Sequence, residues 1–179
     1  MLRVTRCSAL ILLLPLLFSL PACKRKQRAK VQATKEEDAP LAMVVHMADP
    51  KASQQLLKGF HDVEQGSWRW TMGKFAVLLR VPDNAAQKQV ELQMKFSVPD
   101  PIIQKLKSVT LSASVNGVPL PPVTYTKPGE YLFSRQVPAK ALGGETATVE
   151  FALDKALAPG SLDSRELGVV TSTIGFEWK

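Results

Sequence analysis

The sequence predicts an all-β protein, an antiparallel β-sandwich of about eight strands that follows a cleaved signal peptide. Three observations lead there. Apolar residues recur at every second position through several stretches between residues 89 and 178, the signature of strands with one face in a core and one in water. Asn116-Gly117 directly follows one such stretch, and that pair supplies the positive φ angles of a tight hairpin turn. Proline and glycine breaks separate the strand-like stretches at spacings of about 8–20 residues.

At the N-terminus, Arg3 and Arg6 precede an apolar run from Ala9 to Leu20. Twelve helical residues span only about 18 Å, well short of a hydrocarbon core of about 30 Å. Pro15 would disturb even that short helix. A basic start, a short apolar middle and a small residue at the break describe a secretory signal peptide over residues 1–22 rather than a membrane anchor.

The break itself, Leu20-Pro21-Ala22-Cys23, resembles the lipobox of bacterial lipoproteins. Cys7 has Arg6 before it and no apolar run upstream, so it does not fit the pattern. The resemblance implies lipid attachment at Cys23, with a diacylglyceryl group on the thiol and an N-acyl chain on the new terminus; no other cofactor is expected. It also implies a cell-envelope location. Lys24, rather than Asp, follows the cysteine, which by analogy with enterobacterial sorting implies the outer membrane. Each buried CH₂ contributes about 0.8 kcal/mol, so three chains hold firmly where one would not. No cysteine follows Cys23, which leaves the mature chain without a disulfide and its fold dependent on core packing.

The net charge of +7 does not belong to the folded part. Two basic residues lie in the leader, and six more (Lys24, Arg25, Lys26, Arg28, Lys30 and Lys35) precede the first acid, Glu36. From Glu36 onward the chain has 15 basic and 16 acidic residues. No basic domain remains to bind nucleic acid, and that partner is excluded. Residues 23–41 read as a lipidated basic tether whose last eighteen residues would span about 23 Å as a random coil. The basic stretch can rest on anionic lipid, at about 1 kcal/mol per charge, or stay solvated.

Residues 42–179 form the sandwich domain, of ordinary single-domain size. "SQQLLKGF" (53–60) reads as a helical turn capped by Ser53, and Trp68-Arg69-Trp70 lies in a strand. "QVELQMKFSV" (89–98) alternates throughout, with Val90, Leu92, Met94, Phe96 and Val98 on one face. "PDPIIQKLKS" (99–108) has room for one helical turn. "SVTLSASV" (108–115) alternates in the same way. Val118 begins the return strand, and Pro119, Pro121 and Pro122 confine it to a sheet edge or a loop. "TVEFALD" (148–154) and "LGVVTSTIGFEW" (167–178) supply further strands.

"GFHDVEQGSWRWTMGKFAVLLRVP" (59–82), "VNGVPL" (115–120) and "DSRELGVVTSTIGFE" (163–177) occur in an order that resembles the galactose-binding-like, jelly-roll modules found beside bacterial glycosyltransferases and in lipoproteins. The resemblance implies a jelly-roll sandwich and a carbohydrate-binding role. His61 stands where such modules often carry an aromatic residue.

The candidate ligand-binding residues are Glu64, Trp68, Arg69, Trp70, Asp163 and Arg165. Trp68 and Trp70 are two apart in a strand, about 6.8 Å, and face the same way. Exposed, they would stack on sugar rings; read by the alternation of the other strands, both indoles belong to the core, which is the favoured reading. Arg69 then points to the opposite face, to pair with Glu64 or a distant carboxylate. Its planar fork suits sugar hydroxyls or, as favoured here, a loop clamp. Asp163 and Arg165, just before the last strand, read as loop bracing with ligand binding as the alternative. His61, Asp62 and Glu64 lack the second His or Cys pair of a zinc site. Calcium needs only oxygen ligands and leaves no pattern to read.

Catalysis has little to rest on. Two histidines, no later cysteine, no Gly-x-Ser-x-Gly elbow and no phosphate-binding glycine loop are present. Paired carboxylates acting on glycosides are the enzymatic alternative. The sequence therefore reads as a lipid-anchored envelope protein with a non-catalytic sandwich that binds carbohydrate or an envelope component. The alternative is a structural or assembly lipoprotein that docks another protein through a sandwich face.

Overall fold

The computed structural model describes residues 40–161 and 163–178. The leader, Cys23 and all but the end of the basic tether lie outside them. Nine strands and one short helix occur among the described residues. The strands are β1 (Val44–His46), β2 (Leu56–Glu64), β3 (Trp68–Arg80), β4 (Val90–Val98), β5 (Val109–Val115), β6 (Val118–Tyr125), β7 (Gly129–Gln136), β8 (Thr146–Leu153) and β9 (Val170–Trp178). Helix α1 spans Asp100–Leu106.

Every strand pairing is antiparallel, in the order β6-β5-β8-β3-β9-β4-β7, with β2 added on β3 and β1 on β9. The 13-residue β3 joins the two layers. Its C-terminal part, Lys74–Arg80, pairs with β8. Its start, Arg69 and Trp70, pairs with Thr171 and Val170 of β9. One layer is therefore β6-β5-β8-β3-β2 and the other β7-β4-β9-β1, an antiparallel β-sandwich.

The alternating sequences account for the packing. On β4, Val90, Leu92, Met94, Phe96 and Val98 are buried, and on β5 Val109, Leu111, Ala113 and Val115. Rings tie neighbouring strands and the two layers together, the Phe75–Phe151 pair lying within one layer and the Phe133–Phe151 and Phe96–Tyr125 pairs crossing between them. Phe75 stacks on Phe151 at 4.9 Å between centroids, Phe133 meets Phe151 edge-on at 6.3 Å, and Phe96 meets Tyr125 edge-on at 5.1 Å. Such arrangements suit the ring quadrupoles. No disulfide is required to close this core.

Asn116 (φ 48°) and Gly117 (φ 79°) form the left-handed turn between β5 and β6. Asn116 does more than turn. Its side-chain oxygen accepts from the Thr148 N–H at 2.9 Å, and its amide donates to the Ala141 carbonyl at 2.9 Å. The proline-bearing β6 forms the sheet edge, where a missing N–H breaks no ladder bond.

Two local readings are corrected. Residues 53–60 do not form a Ser53-capped helical turn, because β2 begins at Leu56. The turn lies earlier, a 3₁₀ segment at Pro50–Gln54 whose cap is Asp49, its carboxylate accepting from the Lys51 N–H at 2.8 Å. Pairing of Leu56–Glu64 with β3 overrides the helical propensity of Gln-Gln-Leu-Leu. Helix α1 is also longer than a single turn, beginning after Pro99 and ending where Lys107 takes φ 68°.

Candidate functional site

Alternation on β4 puts Gln93, Lys95 and Ser97 on the face opposite the buried residues. On β7, Leu132 lies across from Lys95 and Glu130 across from Ser97. On β9, Thr173 lies across from Lys95 and Val170 across from Ser97. The register shifts between Lys95 and Phe96, so Ser172 is the extra residue of a bulge. Bulges re-aim side chains in this way. Here the Thr171 and Ser172 hydroxyls both donate to the Lys95 carbonyl, at 3.1 and 3.3 Å.

The result is an open groove of about 410 Å³, lined by Trp68, Lys95, Ser97, Glu130, Leu132 and Ser172, among others. Its volume falls in the usual range of small-molecule clefts, roughly 300–1,000 Å³. Trp68 is half-buried, and Leu132 is 54% exposed. An indole and an aliphatic surface are thus set among an ammonium, a carboxylate and two hydroxyls. That combination suits a ligand with both an apolar face and a polar edge.

The two tryptophans part company. Trp70 packs against the core while remaining half-buried. Trp68 does not join that cluster and lines the groove instead. The expectation of two core indoles therefore fails for Trp68, because β3 turns at its start from β8 toward β9 and leaves the interior there.

Arg69 does not pair with Glu64 or any other carboxylate among the described residues. Its Nε donates to the Met47 carbonyl at 3.2 Å and its Nη1 to the His61 carbonyl at 3.0 Å. It bridges the residue just after β1, which pairs with β9, and the middle of β2, which pairs with β3. Glu64 is taken by Arg165, whose Nη1 donates to Glu64 Oε1 at 2.7 Å.

Arg165 also grips Asp163 through Nε (3.1 Å) and Nη2 (2.9 Å), while its backbone N–H donates to the same carboxylate at 2.9 Å. The Arg165 side-chain and backbone hydrogen bonds hold the Asp163 carboxyl below the usual carboxylate range. Asp163 and then Glu64 push the guanidinium's proton affinity up in turn. Because the Asp163 value is depressed in the fold, its stabilisation is present at neutral pH and is lost as pH falls through that lowered value. His61 Nε2 lies 2.7 Å from the Glu166 carbonyl, so it carries the proton and donates. Glu166 Oε1 accepts from the Gly73 N–H at 2.8 Å. These contacts tie the 163–168 loop to the β2–β3 hairpin. No group of three or more His, Cys, Asp or Glu side chains is placed to hold a metal among the described residues.

The groove residues Lys95, Ser97, Glu130, Leu132 and Ser172 did not emerge from the sequence. The available signal was Leu132 on the outward side of a strand whose own alternation, Tyr131 and Phe133 included, is weak.

No protein-family model and no curated protein matches the chain. Among solved structures, it is similar to BtGH115A, a family GH115 4-O-methyl-alpha-glucuronidase with specificity for decorated arabinogalactans. Identity is 9% and the TM-score 0.36, over 62% of this chain but only 14% of that one. It is also similar to the CBM36-1 domain of a multidomain xylanase from the hindgut metagenome of Trinervitermes trinervoides. There identity is 10% and the TM-score 0.37, over 74% of this chain and 94% of that one.

Proposed function

We propose that this chain is a lipid-anchored envelope protein whose non-catalytic sandwich binds carbohydrate in the groove beside Trp68. The observation behind this reading is the lining of that groove, where the indole of Trp68 and the exposed Leu132 sit among Lys95, Ser97, Glu130 and Ser172. A pyranose ring has the matching surface, an apolar face that stacks on an aromatic ring and a rim of hydroxyls. The bracing cluster around Arg165 is assigned to structure, since Nε, Nη1 and Nη2 are all engaged within the protein.

A glycan array probed with the protein tests the reading. Trp68→Ala is expected to weaken binding to the hits about fivefold or more, since stacking contacts are worth about 1 kcal/mol or more, while lowering the melting temperature little, because Trp68 lies outside the core cluster. The second reading, docking of another protein, is favoured by one feature, the 54% exposure of Leu132. A blank wild-type array together with a specific protein partner lost in Leu132→Asp would select it.

The anchor rests on Leu20-Pro21-Ala22-Cys23, as does the envelope location. Mass spectrometry of membrane-extracted protein is expected to find a mature chain beginning at a lipidated Cys23, and Cys23→Ser is expected to lose the lipid. An intact, unlipidated wild-type N-terminus would overturn the anchor.

A further inference from the structure

A second depression, of about 260 Å³, lies on the same outer face, lined among others by His46, Gln93, Lys95, Thr173, Gly175 and Glu177. Lys95 lines both depressions. The register accounts for this, because Gln93 faces Gly175 and Lys95 faces Thr173 across β4 and β9. Gly175 has no side chain to fill the floor, and a Cβ there would meet Val44 at 2.7 Å. From Ser97 to Gln93 the face runs four residues along β4, about 13 Å, longer than one sugar ring.

The charges along this trough are ordered. Lys95 stands at the centre, and its ammonium has no hydrogen-bond or ion-pair partner among the described residues. Glu130 lines one end and Glu177 the other. An ammonium between two carboxylates favours an anionic group at the middle and disfavours one at either end.

We propose that the two depressions form one continuous trough for an oligosaccharide with a single acidic unit, carboxylate or phosphate, seated at Lys95 between neutral units. This rests on the glycan reading of the groove and adds the class of glycan. Glu130 and Glu177 accept hydroxyls of the flanking neutral sugars and repel a uniformly charged chain. Lys95 selects the acidic unit.

Calorimetric titration of the wild type and Lys95→Gln with four trisaccharides tests it. One has central glucuronate, one central glucose 6-phosphate, one central glucose, and the last is trigalacturonate. The wild type is expected to bind a centrally charged probe about fivefold or more tighter than the central-glucose probe, as a partly exposed ion pair allows. Raised salt should erase that preference. Lys95→Gln should erase it too, and trigalacturonate should bind the wild type no better than central glucose does. Which charged probe binds tighter distinguishes carboxylate from phosphate. Equal wild-type affinity for charged and neutral central units would overturn the proposal and leave the glycan reading standing. A preference that survives in Lys95→Gln would do the same. Tightest binding of trigalacturonate would overturn the role given to Glu130 and Glu177. Failure of all four to bind the wild type would overturn both readings.

Discussion

Phe75→Ala is expected to destabilise the domain by about 3–5 kcal/mol, as large-to-small changes at fully buried aromatics do. Phe75 has no exposed surface. Its ring stacks on Phe151 at 4.9 Å and meets Phe60 edge-on at 5.4 Å, so it joins β2, β3 and β8 in one contact. Removing it loses the transfer energy of the ring and leaves a cavity that the strands cannot collapse into. Stabilities of natural domains are about 5–15 kcal/mol, so a fold without a disulfide would give up a large share. Lys74→Ala, one residue away on the exposed face, should change stability by about 0.5 kcal/mol or less. Urea melts of the two variants measure this, and equal losses at both positions would reject the assignment of faces on β3.

Gly59→Ala is the other large effect, expected at about 4 kcal/mol or more. Gly59 sits at φ +77° within β2, and a Cβ there would lie 2.0 Å from the Lys74 carbonyl oxygen and 2.7 Å from the Phe75 Cα. Both are backbone atoms of the paired strand, so no rotamer change relieves the clash. The positive φ adds strain that L-residues avoid. Either β2 detaches from β3 or the whole domain weakens. Gly66→Ala separates the two causes, because Gly66 has φ +64° but open space at its Cβ. It should cost only about 1–2 kcal/mol, the left-handed penalty alone. Hydrogen exchange along β2 measures the difference, with faster exchange throughout Leu56–Glu64 in Gly59→Ala. Similar stabilities for the two variants would show that the close approach at Gly59 does not matter.

The strands legible in the sequence were those whose faces differ most. β4 and β5 alternate strictly because one side is buried under the opposite layer and the other meets water. Strand β2 was illegible because its exposure is nearly uniform; the partner strand, not its own pattern, makes it extended. Asn116-Gly117 was readable as a turn, whereas the Asn116 hydrogen bonds to Thr148 and Ala141 depend on what folding brings beside it. The same limit applies to the site. Asp163 and Arg165 are two residues apart, so their pairing is local, but Glu64 reaches Arg165 from 101 residues away. Trp68 is legible as an aromatic but not as a groove residue, since its place there follows from the change of partner along β3. Lys95, Ser97 and Glu130 are ordinary outward residues until the register sets them beside that indole.

The proposed binding site lies on the outer face of β4 and β9, beside Trp68. The most direct measurement is an amide and indole N–H chemical-shift map of the protein titrated with the highest-affinity glycan from the array. Shifts are expected at the Trp68 indole and at the backbone amides of Lys95, Ser97, Leu132 and Ser172. The His61–Gly66 and Asp163–Glu166 segments should stay still. Saturating shifts centred on those two segments, with the Trp68 indole unmoved, would contradict the account.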